Sequence, residues 1–136
     1  MRASMPIAAA ALAALLAGCS ATPNSGSSAT KFKGAGQQAA QTIEDLQTDG
    51  QNRDQAKICK DLLANALKAR LGGNCQKVVE AAIKDTDSFD LTVTDVTVNG
   101  PSATATVRAK RGKASAEVDK VGLVREGGRW KISSLS

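Results

Sequence analysis

Three cysteines hold most of the reactive chemistry this chain can offer, because it contains no histidine and no tyrosine. Without imidazole, neither a Ser-His-Asp nor a Cys-His arrangement can exist, and most hydrolase and transferase mechanisms lose their usual base. Cys59 and Cys75 are too far apart in sequence for a Cys-x-x-Cys redox pair, and two cysteines alone cannot complete a tetrahedral zinc site. Cys59 lies on the apolar face of one helical segment and Cys75 opens the next, across Gly72-Gly73, so the thiols meet if those helices pack side by side. Outside the cytoplasm such a pair is expected to be a disulfide; two buried free thiols are the alternative. In the chain-entropy model a loop of this length is worth roughly 3 kcal/mol.

Cys19 stands apart from that pair. Arg2 and the amino terminus give a positive end, and Ile7 to Ala17 is an unbroken run of Ile, Ala and Leu, the pattern of an export signal. The run is about half of the roughly 20 residues that a membrane-spanning helix needs. Leu16-Ala17-Gly18-Cys19 resembles the lipobox of bacterial lipoproteins at all four positions. That resemblance implies a diacylglycerol thioether on Cys19, cleavage after Gly18, and a palmitate-type lipid anchor on the extracytoplasmic face of the cell membrane. Each buried methylene adds roughly 0.8 kcal/mol of membrane affinity. An ordinary secretory signal, leaving Cys19 as a free thiol, is the alternative. The expected organisation is a signal peptide at 1–18, a lipidated flexible tether at 19–36 and one domain at 37–136.

Two other groups of residues invite a chemical reading. Arg108, Lys110, Arg111 and Lys113 cluster at one hairpin tip and could meet a cell-wall polymer, a nucleic acid or lipid phosphates through charge; a solvated edge that resists aggregation is the plainer account. The formal net charge of +5 agrees with an anionic neighbourhood and decides nothing further. Asp85, Asp87 and Asp90 lack the further ligands and sharp-turn glycine of a calcium loop, and read as a turn and a strand start. No cofactor is expected.

The elements that must position these residues follow from periodicity. Ala40, Ile43 and Leu46 predict a helix over Gln37–Thr48, ended by Asp49-Gly50. Asn52 and Gln55 resemble a capping box before a second helix, carrying Ile58, Cys59, Leu62, Leu63 and Leu67 to about Leu71, with room for a break midway. Asn74 then caps a third helix that closes near Lys84. From Phe89 the period changes to two, with Asn99-Gly100, Lys110-Arg111-Gly112 and Glu126-Gly127-Gly128 at the turns, so four strands form an antiparallel meander. Alternation slips around Asp95 and again around Asp119, and a β-bulge is expected at each. With two Phe and one Trp, the core is Ala- and Val-rich and its stability margin small.

The order of these features resembles the nuclear transport factor 2-like superfamily, and in particular small actinobacterial lipoproteins of that group. The residues behind it are Asp54–Leu63, Arg70-Leu71-Gly72 with Cys75, Val96–Gly100, Ala103–Val107 and Leu123–Ile132. The resemblance implies an α+β fold in which N-terminal helices pack on a curved antiparallel four-stranded sheet. It also implies a cone, shallow here because Leu63–Gly73 reads helical, and a sheet face that supports homodimers. Asp95 would stand where ketosteroid isomerase-like and polyketide cyclase-like members keep their base, but no Tyr or His offers it an oxyanion partner. The function expected is therefore non-catalytic: a membrane-anchored envelope lipoprotein binding a partner protein or a small apolar ligand, with polyanion binding through the basic hairpin as the alternative.

Overall fold

Period-two patterning after Phe89 produces four antiparallel strands in chain order, β1 (Phe89–Asn99), β2 (Ser102–Arg111), β3 (Glu117–Glu126) and β4 (Arg129–Leu135). The computed structural model describes residues 28–84 and 89–136; Cys19 and the acidic break at 85–88 lie outside the described residues. Registers such as Val93↔Val107 and Ala105↔Val121 put Leu91, Val93, Val96, Ala103, Ala105, Val107, Val121, Leu123, Trp130 and Ile132 on one concave face. Thr92, Thr104, Arg108 and Lys120 take the other face. The expected bulge near Asp95 is present: the register shifts between Val93 and Asp95, leaving Thr94 as the extra residue. The one expected at Asp119 is not, because β2 and β3 pair without interruption from Ser102↔Val124 to Ala109↔Glu117. Val118 breaks the apolar parity by facing outward, 69% exposed. The second irregularity lies instead between Gly122 and Leu123, where β4 carries Ser133 as an extra residue.

Helix α1 (Gly34–Gln51) fills the concave face, burying Ala39, Ala40 and Ile43 against it. Ala103 and Ala105 stand opposite, and small side chains on both partners let helix and sheet approach closely, so a lean composition still packs a continuous core. The helix outruns its predicted bounds at both ends. Residues 28–36, assigned by composition to the tether, are folded here: Ser28 and Ala29 are buried, and Ala29 N and Ser28 Oγ donate to Glu44 Oε1 at 2.8 and 3.1 Å. Val93 N donates to Ser28 Oγ at 3.0 Å, which ties the chain entry to β1. Tertiary partners thus compensate the ordering entropy that a polar segment cannot offset alone.

The expected second helix is three pieces. Asp54, not Asn52, supplies the cap, its Oδ1 accepting from Lys57 N at 3.0 Å above the short α2 (Gln55–Lys57). A π turn (Ile58–Leu62) follows, then Leu63 extends to form a parallel bridge with Ile132 before α3 (Asn65–Arg70) begins. The π turn puts Ile58, Cys59 and Leu62 inward, and the extended Leu63-Ala64 step lets Ala64 N donate to Ile132 O at 2.8 Å. Helix α4 (Cys75–Lys84) then returns, joined to the π turn by the Cys59–Cys75 disulfide, with Cα atoms 6.1 Å apart. The expected pairing of the two domain cysteines is therefore present.

Candidate functional site

Because α1 occupies the concavity, the sheet retains no deep central cone. Among the openings that border the helix in the described residues, two bear on binding. The larger, about 560 Å³, runs between α1, the π turn and the start of β4, lined by Gln38, Gln41, Thr42, Asp49, Lys57, Arg125 and Trp130 among others. The smaller, about 280 Å³, is an apolar crevice where Leu46 of α1 faces Leu91, Val107, Ala109, Val121 and Leu135.

Each polar side chain of the larger groove is placed by a local feature. Asp49 lies in the last turn of α1, where Asp54 N donates to its carbonyl at 2.8 Å and Arg53 takes a positive φ of 55° to turn the chain. That corner returns α2 beside α1 and brings Lys57 Nζ to 2.9 Å from Asp49 Oδ1. The carboxylate is buried while the ammonium is about half exposed. Hydrogen bonding and Coulomb attraction to Asp49 hold the Lys57 pKa above its ordinary value. Thr42 Oγ1 lies 3.3 Å from both Gln38 O and Trp130 O, so its hydroxyl stitches α1 to β4. The Arg125 guanidinium lies over the Trp130 ring, 5.4 Å from its centroid, with Nη2 donating to Gln38 Oε1 at 3.4 Å.

Two polar atoms of this groove's lining residues lack a partner among the described residues although both residues are almost fully buried: Asp49 Oδ2, an acceptor, and Trp130 Nε1, a donor. A buried polar group without a partner costs about 1–3 kcal/mol. Residues lining the groove thus hold one acceptor, from α1, and one donor, from β4, beneath its surface. Amide, carboxylate and guanidinium groups surround them, a set that recognises polar ligands by hydrogen bonding.

The residues singled out from sequence are distributed differently. Asp95 is exposed at the β1 bulge, opposite Thr106 on the outer face, so the isomerase-type base has no cavity to work in. Arg108 and Lys110 are exposed on β2, in register with Thr92 and Asp90, and Lys113 is exposed in the following turn. Arg111 pairs through its backbone with Phe89, and its side chain lies outside what is described. The basic cluster is therefore far along the sheet from the Trp130 groove, which sequence reasoning did not identify. Asp49 read there as a helix terminator and Trp130 as a strand residue; a lone Trp five residues after an Arg was the available signal.

Residues 60–136 match the family model described as "Low molecular weight antigen MTB12, C-terminal domain". No curated protein matches the chain in sequence. Solved structures that resemble it include a five-substitution variant named Rd1NTF2_05, with a TM-score of 0.59 and 12% identity over 72% of this chain and 94% of that one. An NTF2-like protein of unknown function from Shewanella baltica OS155 gives 0.52 and 14%, over 71% and 86%. A SEC-C motif containing protein from Rhodopseudomonas palustris gives 0.55 and 17%, over 70% and 74%. At these identities the likeness is one of fold, and it agrees with helices packed on a curled four-stranded antiparallel sheet. With more than half of its length matched by that model, on an NTF2-like α+β fold, the chain belongs to the MTB12 C-terminal-domain antigen family.

Proposed function

We propose that this protein is a non-catalytic binding domain, held by a lipid on Cys19 at the extracytoplasmic face of the cell membrane, that takes a small molecule or a partner's side chains in the Asp49–Trp130 groove. The observation that carries the binding role is that two residues lining one groove hold buried polar atoms without a partner among the described residues, Asp49 Oδ2 and Trp130 Nε1. An occupant offering one donor and one acceptor would reach both once the lining side chains shift, because neither atom is accessible in the closed groove. The geometry moves the expected ligand away from purely apolar molecules: the apolar crevice has about half the volume of the polar-walled groove.

Two measurements test the two halves of this reading. Mass spectrometry of the protein from its native host should find Cys19 as the first residue, carrying acyl chains; an unmodified Cys19 thiol would sink the anchoring. In a nuclear magnetic resonance screen of small amides, sugars and carboxylates, binders should move the Trp130 indole N–H resonance, and Asp49→Asn should weaken them. Binders that perturb only the Leu46–Leu135 crevice would place the site elsewhere.

A further inference from the structure

One end of the sheet, where β1 and β3 start and β2 and β4 finish, differs from the rest of the surface. Val118 and Leu135, 69% and 64% exposed, stand there, two of the three large apolar side chains exposed among the described residues. Arg108 pairs in register with Val118 on the outer face, where Lys110 and Lys120 are also exposed, with Lys113 in the adjoining turn; Leu135, in register with Val121, stands on the concave side of the same end. Asp90, Glu117 and Asp119 share this end, and Asp90 sits opposite Lys110. The apolar crevice contains Leu135 and opens at the same end.

The chain also enters the fold towards this end. Ser28 is fastened beside Val93, whereas Gly36, eight residues on, lies against Val96 further along β1. The path from Ser28 into α1 therefore leads away from the Val118 end. Only nine peptide steps separate Cys19 from Ser28. Such a segment spans at most about 30 Å in any conformation. A domain of this size has a radius of gyration of about 13 Å, so the connection is shorter than the domain is wide. A lipid on Cys19 consequently keeps Ser28 within about 30 Å of the bilayer, where a weak surface acts at high effective concentration.

We infer that this end of the sheet is a membrane-facing surface: Val118 and Leu135 enter the bilayer interface while Arg108, Lys110, Lys113 and Lys120 meet anionic lipid headgroups. The inference rests on the proposed lipid anchor and extends it to the orientation of the domain. The Trp130 groove, whose β-residues Arg125 and Gly128–Trp130 belong to the opposite end of the sheet, then faces away from the lipid. Residues at the Val118 end need no partner from the core, because the fold leaves them solvated when the bilayer is absent.

In protein produced from Cys19 onward without lipidation, the disulfide leaves Cys19 as the single free thiol, so a maleimide lipid can be coupled there and the protein presented on vesicles. On phosphatidylcholine vesicles with about a third phosphatidylglycerol, brominated acyl chains should quench the emission added by Val118→Trp and spare Trp130 in the unsubstituted protein. With Cys19 capped instead, replacing Arg108, Lys110 and Lys120 by Gln should lower vesicle binding roughly a hundredfold, at about 1 kcal/mol per cation. Added emission that persists unquenched, or quenching of Trp130, would overturn the inference. So would equal binding to vesicles of phosphatidylcholine alone. Binding to soluble polyglycerol phosphate with no affinity for anionic vesicles would make this end a polymer site instead. Because the lipid is supplied chemically, these failures are distinct from finding Cys19 unmodified in the host.

Discussion

Two helical regions lie against the same sheet and are fastened to it in opposite ways. Helix α1 is held by burial: Ala39, Ala40 and Ile43 have no exposed surface and face the concave side. The segment from α2 to α4 packs around the β4 side of the sheet and buries little after Ala64; within α4 only Ile83 is buried. It is held by the Cys59–Cys75 disulfide, the Leu63↔Ile132 bridge, and side chains from the sheet or the helices that reach each other's backbone. Lys131 Nζ donates to Asp61 O, Arg70 to Ser133 O, and Asn65 N donates to Glu126. Where apolar area is scarce, a covalent link and directional bonds take over from burial. A chain with three aromatic residues has few other means.

The strongest way to break this contrast is to attack the buried helix. Ile43→Ala removes a fully buried side chain from the centre of the core, and the loss should be about 3–4 kcal/mol because surrounding alanines cannot collapse into the space. Denaturant unfolding followed by Trp130 fluorescence and by far-ultraviolet circular dichroism should shift together. Separate transitions would show that α1 is not the cooperative link between the two regions.

Removing the staple should cost slightly less and act more locally. The double substitution Cys59→Ala and Cys75→Ala opens a loop with a sequence separation of 16, worth roughly 3 kcal/mol. Amide exchange should accelerate first in residues 55–84, with α1 and the strands keeping their protection. Uniform acceleration across the sheet would mean that the disulfide supports the core rather than the helical segment.

A third test concerns a cap that local sequence does not reveal. Ala64 precedes α3 and has no side-chain oxygen, yet Asn65 N lies 3.0 and 3.1 Å from the two carboxylate oxygens of Glu126. The carboxylate from the end of β3 meets the positive end of a short helix. Glu126→Ala should cost about 1 kcal/mol and Glu126→Gln less, with the difference falling at high salt. Thermal melts at two ionic strengths would measure it, and a salt-independent loss would show that the charge plays no part.

That distant cap illustrates what the sequence made legible. The four strands and their turns were readable because alternation and Asn99-Gly100 or Gly127-Gly128 are local signals. The slip at Asp95 correctly marked a bulge, whereas the slip at Asp119 reflected an exposed Val118; parity alone cannot distinguish an inserted residue from an apolar side chain facing out. Ile58, Cys59, Leu62 and Leu63 suit one helical face as well as they suit a π turn and a bridge, since pairing with Ile132 depends on a strand some 70 residues later. The folded entry at Ser28 was hidden for the same reason: its partners are Glu44 and Val93. The groove was the least legible feature, because its chemistry arises where Asp49 and Trp130 line the same opening across the fold.

The smallest effect expected is at the corner where the two regions meet, between Asp49 of α1 and Lys57 of α2. Here the buried partner belongs to the helix held by burial and the exposed partner to the segment held by bonds. Asp49 raises the Lys57 pKa above its ordinary 10.5, so the folded state binds the lysine proton more tightly than the unfolded state does. The resulting stabilisation is fully present below pH 10.5 and disappears as pH rises through the higher folded-state value. Lys57→Met should therefore lower the denaturant midpoint by a constant amount from neutral pH to about pH 10, and the two proteins should converge above it. Half-exposure of the ammonium makes the difference modest and salt-sensitive. A gap that persisted unchanged at the alkaline end would assign Lys57 a packing role through its methylene stem, and the corner would then be fastened by contact rather than by charge.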